Sequence, residues 1–389
     1  MNDPYALLVV GGGPAGLEAA RSFRDSGAPG PVAIVTDEHR MPYNRPPLSK
    51  ELLRGEMAED DLPLEDERWL AEQGVALIGG RAVALDPERR QVTLSGGREL
   101  DYRSCLLATG SEPTRIPIRG ADDPSVRVLR SLDDLRELQR RLHPGVDPVV
   151  IGSGFIGCEI AASLTALGQQ VTLVSDEAAP NARRLGAEAA AEITGWLQEL
   201  GIVLELGAEV ESIERHGDEL RVQTEGKGVS AGLVIMATGV AARSELAAAA
   251  GLDLVVGAIP TDAAMRTAVS GLLAAGDVCA AQNPTARRRL RVEHWGDALG
   301  QGAVAGASAA GQPAAWNDVP GFWSTIGAQT LKYAAWGDGY DESRLERQAD
   351  GSFTAWYGRD GIIVGVLTHD RDQDYERGQD LIAAGARWS

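Results

Sequence analysis

Cysteine and lysine are the scarce residues of this 389-residue chain. Its cysteines, Cys105, Cys158 and Cys279, stand far apart, are odd in number and lack CxxC or metal-ligand spacing. That pattern argues against a disulfide framework, against an intrinsic zinc or iron–sulfur site, and against the flavoproteins that pass electrons through paired thiols. Cys105 and Cys158 read as small core residues, and Cys279 is left open. The lysines are Lys50, Lys227 and Lys332, so nearly all positive charge is arginine. Positive charge is itself short. A formal net charge of −19 argues against nucleic acid and an anionic membrane surface as partners, because both need a positive field. No run approaches the roughly 18 apolar residues of a membrane span. The start, Met1-Asn-Asp-Pro-Tyr5, has no basic n-region, so the cytoplasm is expected. Hydrophobic residues at 44% and charged residues at 24% are ordinary globular values, and the length calls for two or three domains.

What is present is a motif that occurs twice. GGGPAG at residues 11–16 follows the apolar run Ala6–Val10, and GSGFIG at residues 152–157 follows Pro148–Ile151. Each opens a segment of small and apolar residues with helical spacing, so each reads as the strand, tight turn and helix of a Rossmann unit. Gly11 and Gly152 would allow the turn, Gly13 and Gly154 would let the backbone approach a pyrophosphate, and Gly16 and Gly157 would let the helix pack on its strand. Pro14, Ala15, Phe155 and Ile156 complete the two loops. One such match is weak evidence; two in matching context imply two dinucleotides.

The intervening segments order the rest. The first unit continues into Val32–Val35 and ends at Thr36-Asp37-Glu38, where Asp37 or Glu38 fits the ribose-binding acid some twenty residues after the glycines. Pro42-Tyr-Asn-Arg-Pro-Pro-Leu-Ser-Lys50 is a rigid loop, expected to run into a helix, that holds Arg45 and Lys50 against a ligand or leaves them as solvated cations. An apolar strand ends in Ala108-Thr109-Gly110, and a near copy ends in Ala237-Thr238-Gly239. A further strand closes on Gly276-Asp277, followed by Glu293-His294-Trp295 at the head of a small-residue helix. The reading is an α/β fold of two Rossmann-like dinucleotide-binding domains, the second inserted in the first, plus a C-terminal α+β domain. Its boundaries are 1–115 with 241–318, 116–240, and 319–389. In the last segment Trp323, Trp336, Trp356 and Trp388 are expected mostly in core.

Taken together, GGGPAG, Arg45-Pro-Pro-Leu-Ser-Lys50, both Ala-Thr-Gly turns, GSGFIGCE, Gly276-Asp277 and Glu293-His-Trp295 resemble the two-dinucleotide-binding-domain flavoprotein oxidoreductases. Within them the chain looks most like the ferredoxin reductases of bacterial oxygenase systems, over essentially its whole length. The resemblance implies non-covalent FAD at the first fingerprint and NADH or NADPH at the inserted one. It implies Asp277 at the ribityl and pyrophosphate part of FAD, and Arg45 and Lys50 near the flavin. Lys50 would lie at the N5 edge, where a cation stabilises charge on reduced flavin. Glu159 would lie near the nicotinamide, or would merely compensate a helix N-terminus. Trp295 and Trp323 would stand at the flavin edge where a small acidic [2Fe-2S] ferredoxin docks. On this reading Lys50, Glu159 and Trp295 carry the chemistry, with the Ala-Thr-Gly turns, Glu293 and His294 as further cofactor contacts.

Three points stay open. The strand end that carries an acid in NADH-using relatives has Ser175 followed by Asp176, with Arg183 and Arg184 nearby; Asp176 favours NADH because it would repel a 2′-phosphate. Arg287-Arg288-Arg289-Leu290-Arg291 is a basic knot in an acidic chain, either a ferredoxin docking patch or a solvated loop. Two other functions compete: a flavin NADH oxidase or peroxidase, whose reactive cysteine is missing from residues 37–60, and an interaction protein resembling apoptosis-inducing factor, which the acidic balance opposes.

Overall fold

The structure is a computed structural model and describes residues 3–217 and 219–388. By its contacts the chain divides into two compact units, residues 1–44, 62–112 and 241–322, and residues 45–61, 113–240 and 323–389.

The first unit is built on a parallel sheet in the order Val75–Gly79, Val32–Thr36, Tyr5–Val10, Glu99–Leu107, with Leu272–Ala274 beside the last strand. Leu7, Leu8, Val9, Ala33 and Ile34 are fully buried. The two central strands Tyr5–Val10 and Val32–Thr36 are nearly continuous apolar runs, as expected of strands covered on both faces. Helix Pro14–Asp25 packs against helix Trp295–Ala309. The second helix is rich in glycine and alanine because the two backbones touch: a Cβ on Gly302 would lie 2.4 Å from the carbonyl oxygen of Ala15, and one on Gly306 2.2 Å from that of Ala19. A small sheet, Ile259–Thr261, Cys279–Asn283 and Arg288–Arg291, completes the unit.

The second unit repeats the plan. Its parallel sheet runs Val203–Leu206, Thr172–Ser175, Pro148–Ile151, Leu233–Met236, Val126–Arg127, with helix Phe155–Ala166 following the central strand. Val149, Val150, Leu173, Val174, Val234 and Ile235 form its buried interior. Helix Leu132–Arg141 starts on a capping box, Ser131 with Asp134, which satisfies two amides at its end. The C-terminal segment forms an antiparallel sheet in the order Gly321–Ile326, Gln329–Ala335, Ile362–His369, Phe353–Arg359, Glu342–Arg347, covered by helix Asp372–Ala383.

Two local expectations are corrected. The Arg45-Pro-Pro loop does not run into an α-helix but makes one 3₁₀ turn, Pro46–Ser49, followed by irregular turns; two prolines offer no amide donors, and Gly55 turns the chain at positive φ. Of the four C-terminal tryptophans only Trp356 is buried; Trp336 and Trp388 are half-buried, and Trp323 is 46% exposed. Trp388 covers Gly358 and lies under the guanidinium of Arg344, so an aromatic packs at the surface where a side chain at 358 would block it.

Candidate functional site

In the first unit Gly11 adopts φ +129°, and a Cβ there would sit 2.0 Å from the carbonyl oxygen of Ala108. Only glycine fits where the fingerprint turn passes the Ala108-Thr109-Gly110 turn. A Cβ on Gly16 would fall 2.1 Å from the Gly11 carbonyl oxygen, so helix and strand touch there. Gly13 differs. Nothing lies within 4 Å of where its Cβ would be, and it is the N-cap of a helix that no side chain caps. Pro14 at the first turn has no amide to satisfy. The amides of this turn and the open space above Gly13 fit a pyrophosphate.

Around this cradle, Asp37 is exposed and 3.8 Å from Arg243, whereas Glu38 accepts the Tyr43 hydroxyl at 2.6 Å. Of the two acids, Asp37 is the more exposed. Asp277 accepts the Ser111 hydroxyl at 2.6 Å, and the Gly276 amide donates to Gln301 Oε1 at 2.8 Å. Thr109 Oγ1 donates to the Arg243 carbonyl. His294 lies against Phe322, with ring centroids 4.6 Å apart, and its Nδ1 is 3.1 Å from Asp297 Oδ2. Trp295, half-buried, is the first residue of its helix. Glu293 is exposed and pairs with Arg291 at 2.7 Å. Cys279 is buried against Gln301, and burial pushes its thiol up to about 12, so it is an inert small residue like Cys105 and Cys158.

The second unit carries the same arithmetic. A Cβ on Gly152, at φ +105°, would meet the Ala237 carbonyl oxygen at 2.4 Å, and one on Gly157 the Gly152 carbonyl oxygen at 2.0 Å, while Gly154 faces open space. Thr238 and Thr114 exchange hydroxyl–carbonyl hydrogen bonds at 2.7 and 3.0 Å, which fixes the Ala237-Thr238-Gly239 turn. Phe155 and Ile156 begin the helix, Ile156 half-exposed. Ser175 turns inward: it is buried and its hydroxyl accepts from Ser153 Oγ at 2.7 Å and from the Glu177 amide at 3.2 Å. Asp176 instead faces an open cleft lined by Arg183, Gly207, Ala208, Glu209 and Glu225, and pairs with Arg183 at 2.7 Å.

Also in the second unit, Lys50 and Glu159 meet. Both are buried, 5% and 2% exposed, with Nζ 2.8 Å from Oε2. The Ser49 hydroxyl donates to the same oxygen at 2.5 Å; the Ser324 hydroxyl and the Thr325 amide donate to Oε1 at 2.8 and 3.2 Å. Both carboxylate oxygens therefore have donors, the condition under which a buried charge pair is tolerated. The Pro46–Ser49 turn is held on the Glu159 helix by the Ser163 hydroxyl, which donates to the Ser49 carbonyl at 2.7 Å. Lys50 is thus not a solvated loop cation. Arg45 donates to the Arg130 carbonyl at 2.9 Å. Trp323 precedes Ser324, a donor to Glu159, and is partly exposed. Ser49, Ser324 and Thr325 had no sequence signal as Glu159 partners, because a hydroxyl becomes one only through the fold.

Residues 5–302 match the pyridine nucleotide-disulphide oxidoreductase family. The chain is 34% identical over 390 residues to the ferredoxin–NAD(+) reductase component of the anthranilate 1,2-dioxygenase system of Burkholderia cepacia, covering 99% of this chain and 95% of that one. The ferredoxin reductase for the CYP199A2 system from Rhodopseudomonas palustris superposes with a TM-score of 0.91 at 30% identity, covering 100% of this chain and 96% of that one. The reductase in the covalent putidaredoxin reductase–putidaredoxin complex superposes with a TM-score of 0.90 at 30% identity, covering 97% and 93%. With its two glycine cradles built alike and its three cysteines buried and unpaired, the chain belongs to the pyridine nucleotide-disulphide oxidoreductase family.

Proposed function

We propose that this protein is an NAD(P)H-dependent ferredoxin reductase that passes electrons through non-covalent FAD to an iron–sulfur ferredoxin of an oxygenase system. The repeated cradle carries the reading: two sites shaped for a pyrophosphate, in a chain similar to ferredoxin and putidaredoxin reductases throughout its length. When bound, FAD would supply the redox chemistry, two-electron acceptance of hydride and one-electron release. The protein's part is orientation and electrostatics. Gly11, Gly13, Pro14, Ala15 and Gly16 would cradle the FAD pyrophosphate, Asp37 its ribose and Asp277 the ribityl side. Gly152, Gly154, Phe155, Ile156 and Gly157 would do the same for the pyridine nucleotide. Lys50, held by Glu159, is assigned the role of a fixed positive charge at the flavin, and Trp295 and Trp323 that of edge aromatics. The three-domain division with boundaries at 115, 240 and 318 is proposed on the same footing, each part having its own sheet. The compartment proposed is the cytoplasm; no helix among the described residues is long and apolar enough to cross a membrane.

The electron donor is proposed to be NADH. Three carboxylates, Asp176, Glu209 and Glu225, line the cleft beyond the inner strand, and the one arginine lining it, Arg183, is paired with Asp176. A 2′-phosphate dianion entering there meets net negative charge. Asp176→Ala removes one repulsive charge and releases Arg183, so the ratio of kcat/KM for NADPH to that for NADH should rise about tenfold, the equivalent of about 1.4 kcal/mol. Steady-state kinetics with both nucleotides check this, and an unmoved ratio means that the ribose lies elsewhere.

Ferredoxin docking is proposed at the basic knot. Arg287 is in the turn at φ +57°, and Arg289 and Arg291 alternate with buried Leu290 along an edge strand, so three guanidinium groups lie at the surface within five residues. Charge reversal at Arg287 and Arg289 should lower kcat/KM for ferredoxin roughly tenfold at low salt and leave reduction of a small neutral acceptor unchanged. The parent assay is the functional test: a yellow protein that bleaches with NADH without oxygen and reduces a [2Fe-2S] ferredoxin. A folded, colourless protein that gains no flavin spectrum on adding FAD overturns the function.

A further inference from the structure

Helix Ala182–Glu199 of the second unit is broken near its start. Gly186 has φ 78° and ψ 172°, so the chain kinks there and residues 182–185 form a turn set apart from the helix that follows. The break is occupied from the C-terminal sheet. Tyr357, buried on strand Phe353–Arg359, donates its hydroxyl to the Leu185 carbonyl oxygen at 3.0 Å. Tyr340 packs on it with ring centroids 4.7 Å apart, and its hydroxyl lies where a Cβ on Gly186 would be only 2.5 Å away. Tyr333 closes the cluster edge-on at 6.0 Å from Tyr357. Burial pushes the Tyr357 hydroxyl well above its usual range, so it stays a donor.

The turn held in this way is the one that borders the second fingerprint. Its N-cap, Asn181, is buried at φ 58° and its amide donates to the carbonyl of Ser153, inside GSGFIG, at 3.1 Å. The Arg183 amide donates to Glu177 at 2.8 Å and its guanidinium to Asp176. Residues 176–186 are therefore anchored at one end to the fingerprint loop and at the other to Tyr357.

We infer that Tyr357, backed by Tyr340, is a positioning residue for the adenosine half of the pyridine nucleotide, fixing the Asn181–Leu185 turn against GSGFIG. It touches no reacting atom. The inference rests on the reading that GSGFIG binds the pyridine nucleotide, and it gives the C-terminal sheet a part in that binding.

Tyr357→Phe deletes one hydroxyl and keeps the ring. In the holoenzyme, the inhibition constant of ADP-ribose against NADH and the KM for NADH should both rise roughly fivefold, the loss of one buried hydrogen bond spread over the turn. The kcat should not change, and neither should turnover with reduced nicotinamide mononucleotide, which has no adenosine. A merely structural role would lower both donors together. Unchanged ADP-ribose inhibition, or equal loss with both donors, overturns the inference. Should the variant fold poorly, hydrogen exchange on the parent decides: ADP-ribose should slow exchange in residues 181–186 as well as in the fingerprint, and protection confined to the fingerprint overturns it. If ADP-ribose does not compete with NADH in the parent, the nucleotide-site reading has failed instead.

Discussion

Gly16→Ala is expected to yield a protein that is colourless as purified. The added Cβ would lie 2.1 Å from the Gly11 carbonyl oxygen and 2.9 Å from a Val9 methyl. A backbone oxygen cannot rotate away as a side-chain end can, so helix Pro14–Asp25 must lift from its strand. That helix is also locked to the glycine face of helix Trp295–Ala309, which leaves little room to move. A forced shift of this kind costs about 3 kcal/mol, which if borne by the cofactor site is about a hundredfold in FAD affinity. Flavin absorbance per protein after gel filtration measures it, with Gly195→Ala, at an ordinary helical φ and with nothing within 4 Å of its Cβ, as a partner variant that should stay yellow. A fully yellow Gly16→Ala protein would show that the first fingerprint does not hold FAD in the way proposed.

The second large effect is expected at Lys50. Alanine there removes the cation from a pair in which both partners are buried, leaving Glu159 with only the donors of Ser49, Ser324 and Thr325. Losing one member of a buried pair destabilises by about 3–5 kcal/mol, and losing a preorganised charge at the reacting centre costs about a hundredfold in rate. Stopped-flow reduction of the flavin by NADH should slow by that factor while FAD is retained, because Lys50 is assigned no anchoring role. Glu159→Gln separates the terms. It keeps an acceptor for the hydroxyls but leaves Lys50 a buried, uncompensated cation, so the folding midpoint should fall while the charge at residue 50 stays in place. Unchanged reduction rates in Lys50→Ala would return the pair to a structural role.

Some of this was legible because it is local. A turn that needs positive φ, a helix that must touch its strand and an open approach to phosphate each demand glycine at fixed spacing, so GGGPAG and GSGFIG announce their own geometry. Continuous apolar runs such as Ala6–Val10 and Pro148–Ile151 likewise announce buried parallel strands. The family resemblance added that Lys50 and Glu159 both belong near the reacting end, but neither motif says that they pair. They are 109 positions apart, and no rule of spacing reaches across that distance.

What was not legible has the same origin. Ser175 ends its strand, paired with Leu206, and turns inward to Ser153, while Asp176 follows the strand and faces the cleft; their adjacency in sequence does not say which does which. Tryptophan in a strand-rich segment suggests core, yet Trp336 and Trp388 are only half-buried, because exposure depends on what covers a strand. By itself the sequence determined the two cradles, the α/β class and the absence of a dithiol, since these follow from steric limits on neighbouring residues and from residue counts. Only the tertiary structure decided that Ser49, Ser324 and Thr325 satisfy Glu159, that Asp176 rather than Ser175 faces the cleft, and that Tyr357 holds Leu185, because buried polar groups must find partners wherever the fold brings a donor within about 3 Å.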